Sequence, residues 1–380
     1  MDRRLFISAI SGALIAAARG DCLAAEPVPR PPPRPLRILI LGGTQFLGVH
    51  VTELALARGH TVTLFNRGRT NPTLFPQVEK LRGDRNGRLD ALKGRSWDAV
   101  IDDSGYVPRH VRLSAELLAP VIRQYLYVSS ISAYASFRQP NDEQSPLGTL
   151  ADPNVEEVNN STYGPLKALC EQAAQSALPG RVTIVRPAII AGPDDPTDRF
   201  TYWPARAALG GEMLVPGTAS ELIQFIDVRD VARFMVDALE RHILGIFNVA
   251  SPPGRFTMGS LISACIATAK EVTHPSPAPT ATWVPPDFLE MHDPAFPSDT
   301  PIWVPPGEDA AFAQISATRA LKAGLRITPI EQTVRDTLRW HLSRPRSEQV
   351  HLKVGLPRSR EQELLSAWHK SKAGRKRASA

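Results

Sequence analysis

The segment from Leu36 to Phe65 constrains this chain more than any other. Leu36-Arg37-Ile38-Leu39-Ile40-Leu41 is a short apolar run bounded by glycine, and Val49 to Arg58 follows with helical periodicity. Between them lies Gly42-Gly43-Thr44-Gln45-Phe46-Leu47-Gly48. A strand that turns through glycines into a helix leaves amides and the positive helix end facing the turn, which suits an anion. A second apolar run, His60 to Phe65, returns where a βαβ unit requires one, so the segment predicts a parallel sheet with a dinucleotide pyrophosphate on the loop. The position about 20 residues past such a loop usually holds an acid that grips the 2′-OH of NAD. Here it is Asn66-Arg67, with Arg69 close behind. Donors and positive charge suit a 2′-phosphate, so NADP is favoured over NAD.

Further strand ends fall where such a sheet collects its ligand. Asp84 follows an apolar stretch ending at Leu81, and Trp97 to Asp103 ends in paired acids. Asp84 is a candidate acceptor for an adenine amino group or a loop cap, and Ser104, Gly105 and Tyr106 are expected to run past the cofactor. Gln124 to Val128 reads as a buried strand leading into Ser129-Ser130-Ile131-Ser132-Ala133-Tyr134. Downstream, Tyr163 and Lys167 stand four apart and share one face of a helix, with Thr162 as the expected N-cap and Pro165 in the first turn. A phenol is a poor base near neutrality, and a nearby ammonium favours the phenolate. A serine hydroxyl from the neighbouring strand end can hold the reacting oxygen.

With these residues in view the chain resembles an atypical extended short-chain dehydrogenase/reductase of the NAD-dependent epimerase/dehydratase superfamily. The resemblance runs from about Leu36 to Trp340, through Val185-Arg186-Pro187, Gly192-Pro193, Phe225 to Ala232 and Phe247-Asn248-Val249-Ala250. It implies an α/β fold, a Rossmann-type doubly wound parallel sheet with a smaller C-terminal substrate lobe. It also implies Ser130 as polarising hydroxyl, Tyr163 as acid/base and Lys167 as ribose-binding, pKa-lowering lysine. NADP or NAD would lie on Gly42, Gly43, Thr44, Gln45, Phe46, Leu47, Gly48, Asn66, Arg67, Asp84 and Lys167. The expected activity is oxidoreduction or epimerisation at a secondary hydroxyl or ketone of a small-molecule substrate, such as a sugar or nucleotide sugar. Two departures bear on this: Gln45 replaces the middle glycine of the loop, and Ile189 stands where nucleotide-sugar enzymes place asparagine. The alternative is a non-catalytic NAD(P)-binding or RNA-binding protein of the same type, and a homodimer stays open.

Beyond this half the sequence sets organisation. Arg3-Arg4-Leu5-Phe6-Ile7, the apolar run Ala9 to Ala18 and the small residues before Ala25 resemble a twin-arginine export signal, which implies a periplasmic protein if used and a cytoplasmic one otherwise. The predicted divisions are an export signal (1–25), a proline-rich spacer (26–35), the nucleotide domain (36–190), a region that is mainly substrate lobe with returning sheet elements (191–345), and a C-terminal helix with a basic tail (346–380). The net charge of +6 resides in the two ends, because residues 1–25 are slightly basic and the tail from Lys370 carries only cations. The neutral body argues against a nucleic-acid groove, so no specific nucleic acid is expected. The tail reads as solvated and disordered. Cys22, Cys170 and Cys265 are too few and scattered for a disulfide framework, and His274 and His292 lack ligand-spaced partners, so no metal is expected.

Arg199, Tyr202 and Arg206 form a candidate clamp for a substrate phosphate or carboxylate, or else part of a packed lid. Two echoing segments, Thr282 to Pro286 and Ile302 to Pro306, read as irregular wrapping with tryptophan anchors. Ile315 to Ala323 and Pro329 to Leu342 read as helices, the second burying Ile330, Val334 and Leu338.

Overall fold

A computed structural model describes residues 34–292, 299–305 and 307–378, with side chains to 373. The expected export signal, with Arg3 and Arg4, and most of the proline spacer lie outside the described residues. The strands β1 (Arg37–Leu41), β2 (Thr61–Asn66), β3 (Glu79–Arg82), β4 (Ala99–Asp102), β5 (Gln124–Val128) and β6 (Val182–Pro187) join Gly245–Val249 in one seven-stranded sheet. Across it the order runs Gly245–Val249, β6, β5, β4, β1, β2, β3, and every pairing is parallel. The chain winds outward in both directions from β1 and β4. Their carboxyl ends therefore flank the crevice where an open α/β sheet takes its ligand.

Burial on both faces explains why β1 is apolar without alternation. Ile38 and Ile40 pack under α1 (Leu47–Ala57) and the helix Val228–Glu240, whereas Leu39 and Leu41 pack under α2 (Pro108–Leu118) and α3 (Tyr163–Ala177). The fold is thus the expected Rossmann-type α/β sheet. Helix α1 begins at Leu47 rather than Val49, so Leu47 and Gly48 belong to its first turn.

A second core lies beyond the sheet. The helices Tyr202–Ala208, Met258–Val272, Ile330–Ser343 and Arg358–Ala378 surround Trp203, Met213, Phe225 and Leu261. Helix Ile330–Ser343 buries Ile330, Val334 and Leu338 as its spacing predicts. Three expectations are corrected. Thr280–Val284 is a regular strand paired in parallel with Glu212–Pro216, so the two echoing pentapeptides are not equivalent. The helix expected from Ile315 starts only at Thr318, because the Ile315 amide is taken by the Gln224 side chain. The tail expected to be disordered continues the helix Arg358–Ala378, where Leu364, Leu365 and Trp368 are buried and Lys372 lies over the Trp368 ring. Among the described residues no helix is long and apolar enough to cross a membrane.

Candidate active site

One cavity of about 840 Å³ opens along the carboxyl ends of β1, β2, β4 and β5. The glycine loop from Gly42 to Gly48 forms its floor, Asn66, Arg67, Arg69 and Asp84 one end, and Ser130, Tyr163 and Lys167 the other. The structure thus brings together the predicted cofactor and catalytic residues. The volume is within the range of about 300–1,000 Å³ for cofactor sites.

The loop is built as an anion cradle. Its carbonyls are held on side chains, Gly42 O by Asn66 Nδ2 at 3.0 Å, Gly43 O by Thr52 Oγ1 at 3.3 Å and Thr44 O by Asn71 Nδ2 at 2.9 Å. The Leu47 amide heads α1, where no intrahelical partner exists for it. Gly42 has φ +128°, and a Cβ there would lie 1.7 Å from an Asp103 carboxylate oxygen. A Cβ at Gly48 would meet Asp103 at 2.2 Å and the Gly43 backbone at 2.8 Å. The two glycines are therefore required by what packs beneath the loop. Phe46 itself adopts φ 43° and ψ −115°, a strained setting for a bulky residue at the point where α1 starts. Glycines at the contact points and carbonyls turned aside fit a dinucleotide pyrophosphate.

Sequence reasoning missed the acid under this floor. Asp103 follows β4, and its carboxylate accepts the Gly43 N–H at 3.2 Å. Burial first, and the neighbouring Asp102, push it up to about 7, against the pull of the Gly43 amide, Arg85 and Lys167. Asp102 is fully buried and takes the Arg85 guanidinium as its ion partner, with Tyr125 Oη donating at 2.6 Å. Paired acids at the end of a buried strand were the available signal.

Asn66 is spent locally, since its Oδ1 accepts from Gly68 N and Arg82 while Nδ2 braces the loop. Arg67 and Arg69 stay exposed on the rim and, with Arg82, Gly83 and Arg88, border a smaller cavity of about 310 Å³. Asp84 caps a turn by accepting the Asn86 amide at 3.0 Å, which with Arg88 holds its carboxyl below the usual range.

At the far end, Ser130 caps the short turn Ile131–Ala133 by accepting the Ser132 amide at 3.1 Å. Tyr163 opens α3. Burial raises its phenol above the ordinary value, and the nearby Ser130 hydroxyl and the charge of Arg199 offset this only in part. Thr162 occupies the N-cap position without capping through its side chain, which donates to Glu157 O instead. Lys167, one turn on, is buried and donates to Gly105 O at 2.8 Å and Val128 O at 2.5 Å, beneath the Tyr127 ring. Burial lowers its ammonium to about 8. The resemblance gives the pKa-lowering part to Lys167, yet here its ammonium is occupied by carbonyls, and Arg199 is the cation whose charge eases Tyr163.

Of the expected clamp, Arg199 alone reaches the cavity. Tyr202 is buried against Trp203 with ring centroids 4.9 Å apart, and Arg206 forms a buried ion pair with Glu361 at 2.7 Å. Both are corrected from substrate contacts to lobe core, because the helix Tyr202–Ala208 turns inward. Behind Ser130 a buried chain runs from Ser129 Oγ to Glu171, from Glu171 to Arg186 at 2.6 Å, and on to Tyr134 Oη at 3.1 Å. Among the described residues no cluster of metal-ligating side chains occurs.

A Rossmann-type sheet with a dinucleotide-shaped crevice is the class that fold and site define. Residues 106–250 match the model of the NAD dependent epimerase/dehydratase family. The chain is 26% identical to the chloroplast stem-loop binding protein of 41 kDa b from Arabidopsis thaliana over 63% of this chain, and that match spans 66% of the plant protein. It is 29% identical to the epimerase family protein SDR39U1 of Bos taurus, over 58% of this chain and 76% of that protein. Among solved structures, human SDR39U1 isoform 2 with NADPH superposes with a TM-score of 0.52 at 20% identity, covering 80% of this chain and 99% of that one. The Bordetella bronchiseptica enzyme WbmH in complex with NAD+ gives 0.59 at 17% identity, covering 82% and 99%. At these identities the structural likeness speaks for the fold.

Proposed function

We propose that the protein is an NAD(P)-dependent oxidoreductase or epimerase acting on a secondary alcohol or ketone, with NADP favoured over NAD. The observation that carries this reading is that Tyr163, Ser130 and Lys167 line one cavity with the glycine loop. A bound nicotinamide would supply a hydride acceptor or donor. Ser130 holds the substrate oxygen, Tyr163 takes or returns its proton, and Lys167 fixes the wall on which the ribose rests. The match of residues 106–250 to the epimerase family supports the reaction class, and the NADPH in human SDR39U1 supports the cofactor class. Arg67 and Arg69 offer the charge for a 2′-phosphate.

The test is Tyr163→Phe. Turnover should vanish while nucleotide affinity stays within a few-fold, since only the transferable proton is lost. Turnover near the wild-type rate overturns the mechanism, whereas a wild-type chain that binds nucleotide and turns over no secondary alcohol or ketone favours the non-catalytic alternative. In the same titrations, Arg67→Ala should weaken NADP by about 1–3 kcal/mol and NAD far less, because one charge-assisted contact is removed. Equal losses would sink the preference for NADP.

A further inference from the structure

Arg67, Arg69, Arg85, Lys167 and Arg199 are the arginines and lysines that line the cavity. Four of them are accounted for. Arg67 and Arg69 follow β2 at the nucleotide end, Arg85 is locked on Asp102, and Lys167 is tied to the carbonyls of Gly105 and Val128. Arg199 differs in position and in what it holds. It stands at the Tyr163 end, and its backbone N and Nε both donate to Thr197 Oγ1, at 3.3 and 3.1 Å. Its terminal nitrogens form no ion pair among the described residues, although Asp195 and Tyr163 both feel its charge. Pro187, Ala188, Ile189, Ile190 and Phe312 give the same cavity an apolar part of its lining.

Resting on the nicotinamide reading, we propose that the substrate is a small hydroxy or keto acid whose carboxylate is taken by Arg199 while its secondary oxygen meets Tyr163 and Ser130. A guanidinium preset by Thr197 presents a planar fork that matches a carboxylate. Arg199 is the one arginine or lysine at this end of the cavity whose terminal nitrogens lack a partner among the described residues, so a monoanionic carboxylate is matched charge for charge. Ile189 adds an apolar surface where a polar sugar contact would be needed, and this turns the pocket toward a short hydrocarbon chain.

The test is calorimetric binding to the full chain saturated with NADP. Its probes are 3-hydroxybutanoate, 3-hydroxyhexanoate, their methyl esters, glycerol 3-phosphate and a uridine diphosphate sugar. The acids should bind at least tenfold more tightly than their esters, Arg199→Met should erase that ratio, and Arg199→Lys should keep part of it. Arg199 is exposed, so its replacement spares the core. Esters binding as tightly as acids, an unchanged ratio in Arg199→Met, absence of acid binding, or preference for the phosphate or the nucleotide sugar each overturn the proposal. Failure of NADP itself to bind strikes instead at the reading beneath it.

Discussion

Asp103 puts a carboxyl group against the loop that the sequence marks for phosphate, and its environment decides whether the two are compatible. With its carboxyl pushed up to about 7 and its neighbours Asp102, Arg85, Lys167 and the Gly43 amide already fixed, the group is half-protonated near neutrality. An arriving pyrophosphate adds negative charge and raises it further, so binding takes up a proton. The sign follows: affinity is greatest below pH 7 and falls as pH rises through 7, by up to tenfold per pH unit. Asp103→Asn should flatten that dependence, as a fluorescence titration of NADPH between pH 6 and 9 would reveal. A wild-type affinity that is flat across this range rules the coupling out.

At the scale of elements, β5, α3 and β6 are stitched together by the Ser129, Glu171 and Arg186 chain rather than by apolar contact alone. Glu171 and Arg186 are almost completely buried, and each satisfies the other. Removing one partner strands a charge. Glu171→Ala should cost about 3–5 kcal/mol in urea unfolding, whereas a joint Glu171→Leu and Arg186→Met replacement should recover much of it. A single-variant loss below about 1 kcal/mol would show that water reaches the pair. The sequence displays Glu171 on the same helix as Tyr163 and Lys167, but nothing in its spacing says that it faces Arg186, because that contact crosses 15 residues and a change of element.

Across the whole molecule, the glycine-loop helix is clasped to the segment that leads into the second core. His50 on α1 bonds Pro193 O at 3.2 Å and pairs with Asp194 at 3.2 Å. Burial lowers its pKa, but the contacts with Asp194 and Pro193 outweigh this and leave it above the ordinary 6.5. A histidine whose folded value is raised contributes stability that is full below its unfolded value and lost as pH rises through the folded one. Tryptic cleavage at Arg199 in the nucleotide-free protein should therefore accelerate as pH rises above about 6.5, once corrected for the protease's own pH profile. His50→Asn should cleave fast at every pH. A cleavage rate independent of His50 would dismiss the clasp.

The sheet, the loop and the Ser130, Tyr163 and Lys167 set were legible because each depends on local rules: burial on both faces, glycine where a Cβ cannot fit, and side chains one helical turn apart. The same rules misjudged Tyr202 and Arg206, since an aromatic and basic segment reads alike whether it lines a pocket or packs a core. Only the tertiary structure decided that Arg206 meets Glu361 across 155 residues, that Lys167 is held by the carbonyls of Gly105 and Val128, and that Asp103 supports the loop from below. Periodicity reports which face of an element is buried, and it carries no record of which distant charge waits on the other side.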